Sequence, residues 1–378
     1  MSERIVLLNT WHNSLDDRVY YHQAKSLSKF GYDVQIISTK DNTTEELDSI
    51  SIRSFYGNRL TRSDKIKRIV ENLSLFSPDL IICDSPAAVL ASAEYKKIHP
   101  VKIIYDITEW YPSKVHLQHY KGFMKGFRFL VLLLGNFTAG IKSDSFIFGE
   151  YYKSVIFRMI FFWKKHIQLP YYPDTNFIRY YPYEKITSDI NLLYTGKINT
   201  DKGIDAVVGA VREASLLCHG IQFRLKIIGN FPTQDDRLHF NRLVSGLPEN
   251  VVVTVVDFLP YPEFCNTIGD THLFFDLRKI DVENTHCLPI KLFYYLACGR
   301  PVIYSNLKSI RKEIKNINFG HLCDPDDIHT IASNIVQYIT QPDIYRIHAA
   351  NALNISGSQY NWKNIENEFI TFIQTSFE

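Results

Sequence analysis

Glycine is missing where a dinucleotide-binding protein needs it. Residues 10–16, the loop after the first strand-like run, contain none. That removes the G-x-G-x-x-G fingerprint and disfavours a nicotinamide or flavin dehydrogenase. Cysteine is sparse and scattered: Cys83, Cys218, Cys265, Cys287, Cys298 and Cys323 form no C-x-x-C pair. Such spacing predicts free thiols in a reducing cytoplasm, with no disulfide framework and no metal site. The first ten residues, MSERIVLLNT, lack the basic, apolar and small-residue zones of a secretion signal. No apolar run reaches spanning length, since FLVLLLG at 129–135 falls far short of about 20 residues. Low-complexity tracts are absent as well, and 46% hydrophobic with 22% charged residues describes a folded protein.

At 378 residues the chain is too long for one ordinary core, so two domains of comparable size are expected. The net charge of +2 conceals an asymmetry. Residues 1–170 carry 23 Lys and Arg against 17 Asp and Glu, whereas the remainder carries 19 against 23. The basic excess belongs to the first half.

Strand and helix patterns alternate along that half. Residues 4–9 (RIVLLN) read as a buried strand, 17–30 as an amphipathic helix closed by Gly31, and 32–38 as the next strand. Helices over 65–76 and 87–97 alternate with strands over 79–83 and 102–106. This alternation predicts a parallel sheet with right-handed crossovers. Asp106, Thr108 and Glu109 lie just past the last of these strands, where open α/β sheets bind ligands. Carboxylates there serve either function or a helix N-cap.

Residues 111–165 hold nine Lys and Arg against Asp144 and Glu150, with aromatic residues interleaved from Trp110 to Trp163. Basic residues beside aromatic and aliphatic ones suit an anionic membrane surface. The competing reading is core helices with a solvated basic face. No nucleic-acid motif accompanies the charge, so no nucleic-acid partner is expected. Residues 168–183, with Pro170, Pro173 and Pro182, read as the interdomain linker.

The second half repeats the alternation, with strands at 191–194, 224–228, 251–256, 272–276 and 302–304. Gly196 turns the chain after the first, and Lys197 and Lys202 bracket a short polar loop before a helix from about Ile204. Two lysines beside a helix start suit a phosphate, although lone surface lysines are common. Gly229 ends the second strand. Residues 282–303 (VENTHCLPIKLFYYLACGRPVI) read as loop, helix, turn and strand, with Pro289 at the first helical position and Gly299 as C-cap. Helices over 328–339, 344–355 and 360–377 close the chain.

Three stretches of the second half, TGKINTDKGIDAVVGAV (195–211), LKIIGN (225–230) and LPIKLFYYLACGRPVI (288–303), resemble the GT-B glycosyltransferases. The family is that of the bacterial group 1 (family 4-like) transferases that build surface polysaccharides. The resemblance covers about residues 190–305 well, and RIVLLNT, DDRVYYHQAKSLSKFGYDV and IIYDITEWYP more weakly. It implies two Rossmann-like domains facing across a cleft: residues 1–170 on the acceptor side, 171–358 on the donor side, and 359–378 crossing back to the first.

The resemblance also implies the chemistry, transfer of a sugar from a nucleoside diphosphate sugar to a glycan or lipid-linked acceptor. Neither cofactor nor metal is expected, and the location is the cytoplasm or the inner face of the cell membrane. Lys197 and Lys202 match the family's diphosphate-neutralising pair, beside Gly196 and Gly229. Thr285, His286, Leu288, Pro289 and Ile290 occupy the place of the helix start that offers backbone N–H groups to the phosphates. Leu259, within 258–260, borders the nucleotide base. Glu109, Asp106 or Asp17 would orient or deprotonate the acceptor hydroxyl.

The sequence departs from the family at three points. Its pair of glutamates, separated by seven residues, aligns with His286 and Tyr294, and a histidine usual near the end of IIYD is replaced by Thr108. A tyrosine offers one oxygen where a carboxylate would clamp both ribose hydroxyls. The missing carboxylates leave a second reading open, a non-catalytic GT-B partner or targeting subunit. A third, another GT-B enzyme such as a nucleotide-sugar epimerase, needs several acid and base groups that the sequence does not assemble.

Overall fold

The structure is a computed structural model that describes residues 2–109, 111–181 and 186–378. Trp110 and Pro182, both singled out above, lie outside the described residues. The chain divides into two compact units, Met1–Tyr171 with Ile365–Glu378, and Tyr172–Asn364.

The first unit is built on eight strands: β1 (Arg4–Asn9), β2 (Asp33–Ser38), β3 (Thr44–Leu47), β4 (Ile50–Arg53), β5 (Leu80–Cys83), β6 (Lys102–Ile107), β7 (Ser145–Phe148) and β8 (His166–Gln168). Their order is β3-β4-β2-β1-β5-β6-β7-β8, and every pairing is parallel except β3 with β4. The central strands are uniform runs of Ile, Val and Leu because helices cover both faces of a parallel sheet. Four strands, β3, β4, β7 and β8, are absent from the sequence reading. Each is only three or four residues long, too short to show a period.

The helix expected over 17–30 is instead π-helical over Asp17–Ala24 and α-helical over Lys25–Lys29. Asp16 caps it, accepting from the N–H groups of Arg18 and Val19. A larger difference concerns residues 122–142. Although no apolar run in the sequence spans a membrane, Gly122–Lys142 forms a single helix of 21 residues, long and apolar enough to do so by length and composition. Glycines, Lys125, Arg128 and Asn136 break the run in the sequence without breaking the helix.

In the second unit, β9 (Asp189–Thr195), β10 (Gln222–Ile228), β11 (Val251–Val256), β12 (Leu273–Asp276), β13 (Val302–Ser305) and β14 (Gly320–Cys323) form a wholly parallel sheet ordered β11-β10-β9-β12-β13-β14. The order reverses between β9 and β12, so the loops after these strands line the crevice where open sheets hold ligands. Helix Ile204–Leu217 packs against Ile328–Thr340 over a core that includes Val207, Val211, Ile331 and Ile335. The last helix, Trp362–Phe377, joins the first unit through its residues from Ile365 onward. There Glu366 accepts from Ser26 and Lys29, and Phe377 stacks near Tyr32.

Candidate active site

In the second unit, the loop after β9 is held by backbone contacts that leave no room for side chains. Gly196, at φ +139°, donates its N–H to Ile228, and Gly229 donates to Val256. A Cβ on Gly229 would lie 1.7 Å from the Gly196 carbonyl oxygen, so the two loops meet backbone to backbone. Gly203, at φ +85°, is equally constrained: a Cβ there would sit 1.6 Å from the Leu277 carbonyl. Between these fixed points, the Tyr194 hydroxyl reaches the carbonyls of Lys197 (2.6 Å) and Lys202 (3.2 Å), and Asn199 accepts from the Lys202 N–H. The loop bracketed by the two lysines is therefore rigid.

Lys197 is exposed, whereas Lys202 turns inward and donates to Asn284 Oδ1 at 3.0 Å. Burial and then the nearby Arg278 guanidinium lower its pKa. Arg278 itself holds a two-point ion pair with Asp276 at 2.8 and 3.1 Å, and this carboxylate keeps the guanidinium charged despite burial. Two half-buried cations thus stand side by side, only one of them in an ion pair with the carboxylate. An anion placed beside them would relieve the repulsion and repay the lost hydration.

Sequence reasoning passed over two cations here. Arg278 follows β12 by two residues, with no motif to mark it. Lys291 stands inside the quoted LPIKLF stretch, and its Nζ lies 3.5 Å from where a Gly196 Cβ would be and 5.8 Å from the Phe258 ring centre. Phe258 is half exposed, and Leu259 beside it half-buried.

The helix expected to begin at Pro289 is Lys291–Ala297, with Ile290 already in helical conformation. Leu292 donates to the Pro289 carbonyl, so proline stands just ahead of the first turn. Leu288 and Pro289 are buried. Thr285 ends a four-residue helix, Val282–Thr285, and His286 Nδ1 folds back to the Val282 carbonyl at 2.8 Å. Tyr294 is 2% exposed and packs edge-on against Tyr261 and Phe264, so its ring belongs to an aromatic cluster rather than to an open pocket.

In the first unit, the three candidate carboxylates are not equivalent. Asp106 is buried and accepts two bonds from Arg18 (2.8 and 2.9 Å) and one from Gln23 (2.8 Å). Arg18 also donates to the Leu169 carbonyl and lies 4.3 Å from the Tyr171 ring centre. A carboxylate engaged this way is an anchor, and the expectation that Asp106 acts on the acceptor gives way to a structural role. Asp17 accepts from the Arg18 N–H at the helix start. Glu109 is exposed just beyond β6.

His12, which the sequence reading did not select, lies in the loop after β1 with Nδ1 3.0 Å from Asp16. Burial opposes its charge, but Asp16, Asp84 and Asp17 together push its pKa up to about 10. Asp84 is itself fixed by the N–H groups of Thr10 and Trp11. Among the described residues, His12 Nε2 is buried and has no hydrogen-bond partner. The ring is therefore an imidazolium at neutral pH, able to donate but not to accept a proton. Only its companions across the sheet could have revealed it, since nothing in T-W-H-N marks that histidine.

Residues 189–341 match the model of a family described as "Glycosyl transferases group 1". No curated protein matches the chain in sequence. Solved structures of similar fold include sucrose-phosphate synthase from Thermosynechococcus elongatus, 16% identical with a TM-score of 0.74 over 99% of each chain. HepE of Anabaena, in complex with UDP and glucose, is 11% identical with a TM-score of 0.72 over 99% of this chain and 100% of its own. A glycosyltransferase from Rickettsia africae is 14% identical with a TM-score of 0.70 over 100% and 99%. At such identities these likenesses establish the fold, which is GT-B.

Two substitutions separate anchoring from chemistry in the first unit. Asp106→Asn leaves Arg18 charged and buried, and should lower unfolding free energy by about 3–5 kcal/mol in denaturant titration. A variant of unchanged stability would return Asp106 to the catalytic candidates. For His12 the folded pKa lies above the ordinary 6.5, so its contribution is complete below that value and lost as pH rises toward about 10. The stability difference between wild type and His12→Gln should shrink over that window, by at most about 1.4 kcal/mol per pH unit. A difference independent of pH would show that the imidazole is not charged.

Proposed function

We propose that this chain, a GT-B protein whose residues 189–341 belong to the group 1 glycosyltransferases, transfers a sugar from a nucleoside diphosphate sugar to a hydroxyl of a glycan or lipid-linked acceptor in surface polysaccharide synthesis. The observation that carries the reading is the arrangement of two cations, Lys202 and the Asp276-paired Arg278, side by side, with Lys291 against Gly196 of the same loop. The excess positive charge fits a diphosphate. The complexes of HepE with UDP and with UDP-glucose support the same donor class.

In the reaction the bond between the anomeric carbon and the phosphate oxygen breaks, and negative charge develops on the departing diphosphate. Lys202 and Lys197, with Lys291 over Gly196, would stabilise that charge from a loop already fixed before the substrate arrives. The positive charge that a metal ion supplies in other phosphate sites is here supplied by side chains, which supports a metal-independent transfer. Leu259 and Phe258 would border the base, and Thr285, His286, Leu288, Pro289 and Ile290 the sugar diphosphate. The acceptor hydroxyl gives up its proton to Glu109 or Asp17, the two carboxylates not tied to Arg18 by side-chain ion pairing. His12, already protonated, suits an anionic group on the acceptor better than a hydroxyl proton.

Tyr294 favours a second reading. Its burial among Tyr261 and Phe264 leaves no carboxylate where the family binds ribose, which suits a non-catalytic partner of an active transferase.

Incubation with candidate nucleotide sugars and an acceptor extract, read by mass spectrometry, should show nucleoside diphosphate release. Lys197→Ala with Lys202→Ala should lower turnover about a hundredfold or more. Undiminished turnover sinks the phosphate assignment, and calorimetry showing no binding of any nucleotide sugar supports the partner reading. The depressed pKa of Lys202 yields a further expectation. A bound diphosphate raises that pKa, so binding should take up protons as pH rises through the depressed value, and affinity should fall there. Binding heats independent of the buffer's ionisation enthalpy in that range would count against contact with Lys202.

A further inference from the structure

Helix Gly122–Lys142 presents its apolar stripe the wrong way round for a soluble domain. Phe123, Phe127, Leu130, Leu134, Phe137 and Ile141 recur at three- and four-residue spacing on one face. That face points outward: Phe123 is 86% exposed and the other five between 42% and 54%. The opposite face meets the unit only near the C-terminal end. There Asn136 accepts from the Tyr105 hydroxyl and donates to the Tyr111 carbonyl, and Gly140 lies so close to the Phe161 ring that a Cβ would approach within 2.5 Å. The following helix, Tyr151–Ile160, continues the apolar surface through Met159, with Phe162 and Trp163 just beyond it, all more than 60% exposed.

Large contiguous apolar surface on a folded unit has a cover. Here the charge around it identifies the cover. Lys121, Lys125, Lys142 and Arg158 form no ion pair with the described residues, and Arg128 lies over the Tyr120 ring and near Tyr111 without an ion pair among them. Between Tyr111 and Lys165 only Asp144 and Glu150 are acidic, and these are engaged by Lys96 and Lys153. A second copy of the chain would bring the same positive rim into contact with itself.

We propose that these two helices form a monotopic docking surface for an anionic phospholipid bilayer, the apolar stripe entering the acyl boundary and the basic rim meeting the headgroups. The Gly122–Lys142 helix lies in the interface and does not cross it. From Asn136 onward it is packed into the unit, and the free portion over residues 122–134 is only about 20 Å long against a hydrocarbon core of about 30 Å. This docking is independent of the transferase reading, because no nucleotide-binding residue takes part.

Full-length protein sedimented with vesicles of phosphatidylcholine and phosphatidylglycerol should be recovered with them, less so as salt is raised, and should be released by alkaline carbonate. Phe123→Ser with Leu130→Ser should weaken partitioning at least about tenfold. Lys121→Gln, Lys125→Gln and Arg128→Gln should weaken it by about fivefold each. Phe123, Leu130, Lys121 and Lys125 are exposed and Arg128 is half-buried, and unchanged thermal melting of the variants confirms that folding is not the cause. Equal recovery with pure phosphatidylcholine vesicles overturns the proposal, as does resistance to carbonate, which marks a spanning helix. A dimer dispersed by Phe123→Ser with Leu130→Ser, without vesicle binding, overturns it in favour of a second copy as the cover.

Discussion

Two cations held close together, only one of them in an ion pair with the buried carboxylate of Asp276, set the electrostatics of the second unit's crevice. Asp276 ends β12 and pairs in two-point fashion with Arg278, while Lys202 donates to the neutral amide of Asn284. A flexible loop would escape this repulsion by swinging the lysine into water. The loop cannot, because Gly196 and Gly229 lock it on one side, Gly203 locks it against Leu277 on the other, and Tyr194 spans the interval. Backbone rigidity therefore preserves an electrostatic imbalance that a bound anion would resolve, which is how preorganised sites differ from merely basic ones.

The first unit spends its charges differently. Arg18 and Asp106 neutralise each other in the interior and brace the helix after β1 against the end of β6. Beside them, His12 is surrounded by Asp16, Asp17 and Asp84 and remains charged for that reason. One pair is internally complete, while the other group retains an N–H aimed at no protein acceptor among the described residues. Structural and chemically available charges stand a few residues apart in sequence, and burial alone does not tell them apart.

Much of the fold was legible because parallel sheets require uniform apolar strands and punctuated helices. Residues 4–9, 251–256 and the helix from Ile204 appear as read. The short strands β3, β4, β7, β8 and β14 escaped because three or four residues carry no usable period. Lys197 and Lys202 stood out in the sequence through their loop and its glycines. Arg278 and Lys291 were not, since each acquires meaning only from a neighbour distant in sequence: Asp276 with Lys202 for one, Gly196 for the other. Asp106 shows the opposite error. Its position past a strand end suggested chemistry, but its partner Arg18, 88 residues away, makes it an anchor. For Gly122–Lys142, periodicity revealed the apolar stripe and said nothing of the side on which it would lie.

The backbone contact between Gly196 and Gly229 also shapes how such a protein can diverge. With 1.7 Å between a hypothetical Cβ on Gly229 and the Gly196 carbonyl, Gly229 can accept no side chain unless the backbone shifts, and Gly196 is held to glycine by its φ of +139°. The loops after β9 and β10 are thus coupled in inheritance and resist gradual change. Residues 257–260 carry no such restriction, for Asp257, Phe258 and Pro260 are exposed and their side chains can be exchanged singly. Variation would therefore accumulate at residues 257–260 sooner than at the two glycines, whose backbone contact leaves no single substitution free of cost.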